Sequence, residues 1–213
     1  MLTPKIPVAK EGYPFIGLAA FCTVVFALLD YGTVSLILLA TTVFILSFFR
    51  DPERFTPTDQ QSLVSPADGR IIIVEKLFDE KFTKQEAYKV SIFMNVFNVH
   101  VNRAPFSGTV EEVQYQPGKF YSADTQKGGL ENEYCAMIFS GPEGQKIGCV
   151  QIAGLIARRI ICWMEPGDSM NKGQRVGLIR FGSRVDLYLP LSTVVSVKVG
   201  DRVTAGESII GVL

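Results

Sequence analysis

The dipeptide Gly182-Ser183 places a nucleophilic hydroxyl next to a carbonyl group whose own residue has no side chain. It lies within Leu178–Pro190, where apolar residues alternate at positions 185, 187 and 189 and favour a β-strand over a helix. A glycine inside a strand pattern marks a bulge or a close approach of the backbone. With the backbone kinked there, the Ser183 hydroxyl can reach the carbonyl carbon of Gly182. Taken alone, however, the dipeptide is more typical of an ordinary strand bulge.

The chemistry open to this pair is self-cleavage. Attack by the hydroxyl would be an N-to-O acyl shift, which turns the peptide bond into an ester. β-Elimination and hydrolysis would then leave a pyruvoyl group at the start of a new chain that begins at residue 183. The products would be a large chain, residues 1–182, and a small chain, residues 183–213.

Five stretches of the sequence carry a family resemblance. They are Phe49-Arg-Asp-Pro-Glu-Arg54, Ser65-Pro-Ala-Asp-Gly-Arg70, Phe93-Met-Asn-Val-Phe-Asn-Val-His-Val-Asn-Arg103, Gln116-Pro-Gly-Lys-Phe120 and Lys172–Pro190. The last closely resembles the self-cleavage region of phosphatidylserine decarboxylase in its short, bacterial or archaeal, form. The other four agree with that family in the same order, so the resemblance runs from about Phe48 to the C-terminus.

The resemblance implies an enzyme, a carboxy-lyase that converts phosphatidylserine to phosphatidylethanolamine after cleavage at Gly182-Ser183. Ser183 would become the pyruvoyl group that forms a Schiff base with the substrate. Amine decarboxylation needs a carbonyl electron sink, and no side chain provides one, so the cofactor carries this chemistry. Neither a metal nor PLP is expected, and the two cleaved chains are expected to stay associated.

His100 is the only histidine of the chain and lies at the end of an apolar run. A lone histidine near a strand is more often structural than catalytic. Yet a site that deprotonates Ser183 and later handles a substrate proton needs a group that titrates near neutral pH. The resemblance implies that His100 is catalytic and that Asp68 orients or assists it. By its local sequence, Pro66-Ala-Asp-Gly69, Asp68 is an ordinary turn residue.

The chain departs from longer family members at Arg103, which stands where they carry the second histidine of an H-x-x-H motif. Arginine cannot act as a base. Either His100 therefore serves both maturation and turnover, or another group takes one of these duties. Arg103 can bind a substrate carboxylate or phosphate through its planar fork, or it can form a surface salt bridge.

Substrate binding is assigned to basic residues near the motifs. Arg103, Lys119 and Arg180 are the candidates for holding the lipid, and Arg158, Arg159 and Arg175 are further cations of the same region. By sequence alone none of these differs from a solvated surface charge.

Residues 12–49 contain a single charged residue, Asp30, and predict a membrane hairpin. Its apolar segments, Tyr13–Leu29 and Tyr31–Phe49, would be helices of roughly 25 and 28 Å, close to the ~30 Å of a hydrocarbon core. Lysines 5 and 10 precede the hairpin and arginines 50 and 54 follow it, so both ends are predicted to be cytoplasmic. A shallow hairpin in one leaflet and a buried hairpin in a soluble core are the alternatives.

Residues 1–49 are assigned to the membrane-associated hairpin, and residues 50–213 are predicted to form a mainly β catalytic domain of the barrel-sandwich kind. The expected strands are Gly69–Lys76, Tyr88–Met94, Gly108–Tyr115, Tyr134–Ser140, Lys146–Ala153, Gly177–Leu189, Thr193–Val197 and Ser208–Leu213. The long polar stretch Gln116–Glu133 is expected to be a lid, by analogy with the family. With a net charge of zero, nothing indicates nucleic acid. The four cysteines lack metal-site spacing and are expected to be reduced.

Two other functions fit parts of this pattern. The same chemistry could act on an archaeal-type ether lipid, or the chain could be a membrane-anchored carrier or binding module without catalysis. A carrier predicts a modifiable lysine at a tight hairpin, and we find none. The expected partner is phosphatidylserine in the cell membrane, with the catalytic domain on the cytoplasmic side, and a homodimer is compatible with the sequence.

Overall fold

The chain forms two compact units, residues up to Glu53 and residues from Arg54 onward. The computed structural model describes residues 7–119, 121–123, 125, 131–141, 144–154, 159–180 and 182–213. Lys5, Arg158 and part of the predicted lid therefore lie outside the described residues.

The first unit is the predicted helical hairpin. A short 3-10 turn, Lys10–Gly12, leads into α1 (Tyr13–Leu28), and α2 spans Gly32–Phe48. Asp30 closes the turn between them in the left-handed region at φ 63°. The two ends are joined where the Ala9 N–H donates to the Phe49 carbonyl at 2.8 Å. The 19-residue stretch from Lys10 to the end of α1 is long and apolar enough to cross a membrane, while α2 has 17 residues.

The second unit consists of short and medium strands, as predicted. They are β1 (Ser62–Val64), β2 (Gly69–Asp79), β3 (Gln85–Met94), β4 (Val101–Arg103), β5 (Gly108–Gln116), β6 (Tyr134–Ser140), β7 (Lys146–Ala153), β8 (Ile160–Cys162), β9 (Ser169–Met170), β10 (Arg175–Ile179), β11 (Ser183–Pro190), β12 (Val194–Val195), β13 (Arg202–Val203) and β14 (Ile209–Val212). Each of the eight predicted strands overlaps an observed one, and the mainly β fold class is confirmed.

The strands form one large and two small sheets. The large sheet has the order β13-β2-β3-β11-β7-β6-β5-β9, and the small ones have the orders β4-β10-β8 and β1-β14-β12. Residues from all three sheets share one hydrophobic core, for example Val185 of β11, Ile179 of β10 and Ile210 of β14. The small sheets therefore pack on one face of the large sheet, as in a sandwich.

The predicted strand Gly177–Leu189 is in fact two strands. β10 ends at Ile179 in a small sheet, and β11 begins at Ser183 in the middle of the large sheet, between β3 and β7. The chain thus changes sheets immediately before Ser183, which separates this segment from an ordinary strand bulge.

Candidate active site

The backbone conformation of Gly182 explains the change of sheet. Its φ is +66°, in the left-handed region that glycine adopts without steric cost. A Cβ atom added to Gly182 would meet no neighbouring heavy atom within 4 Å. The strain of a side chain at this position would therefore come from the backbone conformation and not from a clash. The kink predicted from the sequence is therefore present at the residue that carries the predicted scissile carbonyl.

The Gly182 carbonyl group is packed against the end of β7. A Cβ atom added to Gly154 would clash with the Gly182 carbonyl oxygen, and the Ala123 side chain lies 3.5 Å from the same position. Gly154 directly follows Ala153, the ladder partner of Ser183. Only glycine at position 154 lets this carbonyl approach so closely, which fixes where the scissile peptide lies.

Ser183 is fully buried at the start of β11. It pairs with Met94 of β3 on one side and with Ala153 of β7 on the other. Its hydroxyl lies 3.3 Å from the Met94 sulfur, on the core face of the large sheet. A thioether is only a weak acceptor, so this contact holds the hydroxyl proton weakly.

His100 is fully buried and is held by its neighbouring turn. Its Nδ1 lies 2.9 Å from the Asn98 carbonyl oxygen. Because a carbonyl oxygen only accepts, Nδ1 carries the proton, and in the neutral ring Nε2 is the basic nitrogen. The His100 carbonyl in turn accepts the N–H of Ile179, the last residue of β10, at 3.3 Å. His100 is thereby linked to the strand that leads to the Gly182-Ser183 bond.

Asp68 binds a basic residue and a backbone group. Arg54 donates to its two carboxylate oxygens at 3.1 and 2.9 Å, and the Ala205 N–H donates to it at 2.8 Å. Arg54 also approaches Glu207 at 3.5 Å. These contacts tie the turn of Asp68 to the segments around Arg54 and Ala205. The orientation of His100 by Asp68 stays a prediction.

Comparison with known proteins decides the family. The family model described as phosphatidylserine decarboxylase matches residues 41–211. A phosphatidylserine decarboxylase proenzyme of Desulfotalea psychrophila is 59% identical over 211 residues, 99% of both chains. That of Nitratidesulfovibrio vulgaris is 50% identical over 210 residues, 99% of this chain and 96% of the relative. That of Geotalea uraniireducens is 46% identical over 213 residues, 100% of both chains.

This chain belongs to the phosphatidylserine decarboxylase family. The identity extends over the whole length of these relatives, so the short bacterial form named from the motifs is confirmed. Members of this family are carboxy-lyases, which agrees with the predicted class of enzyme.

The basic residues predicted to bind substrate lie in different surroundings. Arg103 is 5% exposed and donates to the Gly173 carbonyl at 2.9 Å, which does not fit a surface salt bridge. The Lys119 side chain is 67% exposed and pairs with Glu131 at 2.9 Å, and this carboxylate raises the pKa of Lys119. Arg180 is half-buried, two residues before Gly182, and its N–H donates to the Arg159 carbonyl at 3.2 Å.

The described part of the predicted lid is anchored beside the scissile bond by Asn132. This buried amide accepts the N–H of Tyr121 at 2.7 Å and donates to the Tyr121 carbonyl at 2.8 Å. It also donates to the carbonyl of Ala153, the partner of Ser183, at 2.7 Å. Sequence reasoning missed both Asn132 and Gly154. A glycine directly after the apolar run of β7 was a signal for Gly154; nothing singled out Asn132 within a polar stretch.

The surroundings of residue 183 fit a pyruvoyl group. The small keto group would occupy the space of the buried serine side chain on a core face made by Met94 and Ala153. The peptide bond before this serine is kinked, since Gly182 has a φ of +66°.

Proposed function

We propose that the chain is a proenzyme that cuts itself between Gly182 and Ser183 and then decarboxylates phosphatidylserine to phosphatidylethanolamine. The observation that carries the proposal is the left-handed Gly182 before a buried Ser183, at a change of sheets, in a chain of this family. The relatives at 46–59% identity are named phosphatidylserine decarboxylase proenzymes, which supports both the reaction and the processing.

Maturation starts with attack of the Ser183 Oγ on the Gly182 carbonyl carbon. The carbon–nitrogen bond breaks, the nitrogen takes up a proton, and the two segments are joined by an ester. Loss of the Ser183 Cα proton then breaks the Oγ–Cβ bond and frees Gly182 as a carboxylate. Addition of water and departure of ammonia leave the keto group on residue 183.

His100 is the proposed base for the first step and the proposed proton carrier during turnover. Its Nδ1–H is held by the Asn98 carbonyl, so Nε2 is the nitrogen that takes up a proton. In the proposal Asp68 assists this histidine. Its Arg54 contact gives it a second role, because that ion pair holds the turn that contains Asp68.

The pyruvoyl group supplies the electron sink for loss of CO2 from the bound amine. The chain supplies position: β3 and β7 hold residue 183 on both sides, and the core excludes water from it. Arg103, Lys119 and Arg180 are the proposed partners of the lipid's carboxylate and phosphate.

The helical hairpin is the proposed membrane anchor, with the β domain on the cytoplasmic side. Its helices expose large apolar side chains such as Leu28 (82%) and Leu36 (68%), a surface suited to lipid. A lipid substrate would then reach the site without leaving the bilayer.

The test is the state of the chain after expression. Native protein should run as two fragments on a denaturing gel, and the fragment 183–213 should resist Edman degradation because its N-terminus is blocked. Ser183→Ala should stay one band and be inactive. Ser91→Ala removes an equally buried hydroxyl from the neighbouring strand β3 and should be cut normally. An active Ser183→Ala protein contradicts the proposal, and an intact native chain supports a carrier or binding module instead.

A further inference from the structure

Gln151 is a polar residue in an apolar row. It lies on β7 between Cys149 and Ala153, both of which face the hydrophobic core. Side chains alternate along a strand, so Gln151 points to the same face, and it is fully buried. Its ladder partner is Val185, two residues after Ser183. Ser183 and Gln151 are thus diagonal neighbours on one face, a spacing of roughly 7–8 Å between backbones that a long side chain can bridge.

The amide of Gln151 reaches across to the small sheet that faces it. Its Nε2 donates to Oδ1 of Asn102, on β4, at 2.8 Å. On β10 an added Cβ at Gly177 would lie 2.9 Å from Nε2 and 3.3 Å from Oε1, so the amide fills the space left by that glycine. Asn102 is also fully buried, and its Nδ2 lies 3.7 Å from the Met94 sulfur. The same sulfur contacts the Ser183 hydroxyl at 3.3 Å.

Gln151 has a second polar atom, Oε1, besides the nitrogen that donates to Asn102. The Oε1 atom of Gln151 is buried and, among the described residues, accepts no hydrogen bond. A buried acceptor without a donor destabilises a fold, so such an atom in a core needs an explanation. The neighbours of Gln151 in this row, Cys149, Ala153 and Val185, are apolar, so the buried oxygen is a specific polar feature of this part of the core.

We infer that Gln151, held in place by Asn102, accepts a hydrogen bond from the amino group of the substrate at residue 183. The inference rests on the proposed function and adds a residue that selects the amine end of the headgroup. The serine headgroup carries N–H donors on its amine, whereas its carboxylate and phosphate only accept at neutral pH. An amide oxygen therefore attracts the amine and disfavours the other two groups, which orients the lipid for condensation at residue 183.

The experiment measures capture of an amine and does not depend on turnover. The probe is dihexanoyl phosphatidylethanolamine, the short-chain form of the product, which carries the amine but has no carboxylate to lose. Sodium cyanoborohydride fixes the amine covalently to residue 183, and intact mass reports the labelled fraction of the small chain. Self-cleavage on a gel and the melting temperature are recorded for every variant.

Gln151→Met keeps the length of the side chain and removes the acceptor. We expect it to be cleaved like the native chain but to capture the probe about ten- to a hundredfold less well at limiting concentration. Gln151→Glu keeps an oxygen acceptor but loses the Nε2 bond to Asn102, so it should capture the probe better than Gln151→Met and less well than the native chain. Cys149→Ala changes packing in the same row of β7 and should capture the probe normally.

Normal capture by a cleaved Gln151→Met overturns the inference, and so does a folded variant that stays uncut, because Gln151 would then act on Ser183. If Gln151→Met does not fold, Asn102→Ala decides. It removes the acceptor of the Gln151 Nε2, together with the Asn102 contacts to the Pro66 carbonyl and the Met94 sulfur. Capture should fall severalfold with cleavage retained, and native capture overturns the inference. If the native chain itself stays uncut, the proposed function is wrong, and this result is separate from the test of Gln151.

Discussion

Residue 183 takes part in two proton transfers, one during maturation and one during turnover. Maturation removes the proton of the Ser183 hydroxyl, and turnover delivers a proton close to the carbon that this residue becomes. Both events fall within reach of one imidazole placed beside residue 183. His100 is the only histidine, and its tautomer is set by the Asn98 carbonyl. Arg103, at the position of the family's second histidine, is buried and bound to the Gly173 carbonyl. Arg103 cannot act as a base, so we propose a double role for His100.

We therefore expect His100→Ala to slow self-cleavage and also to depress turnover in the fraction that matures. Positioned acid–base groups contribute about 10²–10⁴-fold, so both defects are measurable. A time course of the conversion of the intact band to two fragments measures self-cleavage. The decarboxylation rate per cleaved chain measures turnover. Normal cleavage with loss of decarboxylation alone would contradict the double role. It would point to Asp68 or a backbone-held water as the maturation base.

At the scale of elements, the strands themselves were predictable because they are short runs rich in apolar and β-branched residues, some alternating and some continuous. β3, β6 and β7 were recognised within three residues of their ends. The pattern could not show that Gly177–Leu189 divides between two sheets, because both halves are apolar runs typical of strands. The sequence also could not predict which residues of different strands pair with one another. The closeness of Ser183 to Ala153, and hence the roles of Gly154 and Gln151, depends on contacts between distant segments.

Strand β11 also carries a buried ion pair on the face opposite Ser183. Arg184 and Asp186 are both almost fully buried, and the Arg184 Nη2 donates to Asp186 Oδ2 at 2.7 Å. Lys89 of β3 approaches the same carboxylate at 3.5 Å. Farther along this face, burial and the Asp186 charge raise the pKa of Tyr188. The strand that presents Ser183 is thus fixed by charges on one face and by the core on the other.

Removing one partner of this ion pair should destabilise the β domain strongly. Asp186→Ala leaves the Arg184 charge buried without its main carboxylate, at a typical cost of about 3–5 kcal/mol. Urea unfolding in the Ser183→Ala background, where the chain stays intact, gives the free energy of unfolding. Replacing the pair together, Arg184→Met with Asp186→Leu, should cost much less, since no unpaired arginine remains. Equal losses for the single and double changes would show that packing, and not charge, stabilises this face.

At the scale of the whole molecule, the sequence predicted the hairpin but not its depth in a bilayer. The observed helices have 16 and 17 residues, slightly fewer than predicted. At ~1.5 Å per residue they are about 24 and 26 Å long, so a bilayer core of ~30 Å would have to thin slightly. Apolar length is read from the sequence, whereas insertion depth depends on the lipid around it.

We expect the hairpin to span the membrane with Gly32 on the outer side, because basic residues flank both of its ends and Asp30 lies in the turn. A Cβ atom at Gly32 meets no other atom within 4 Å, so Gly32→Cys should be tolerated. The background is Cys22→Ala with Cys162→Ala, which removes the two cysteines that are not fully buried. A membrane-impermeant maleimide added to intact cells should label this cysteine. Lys10→Cys, at the start of the hairpin, should be labelled only after the cytoplasmic side is opened. Labelling of Gly32→Cys from the cytoplasmic side alone would instead show a re-entrant hairpin, in which the lipid reaches the site from one leaflet.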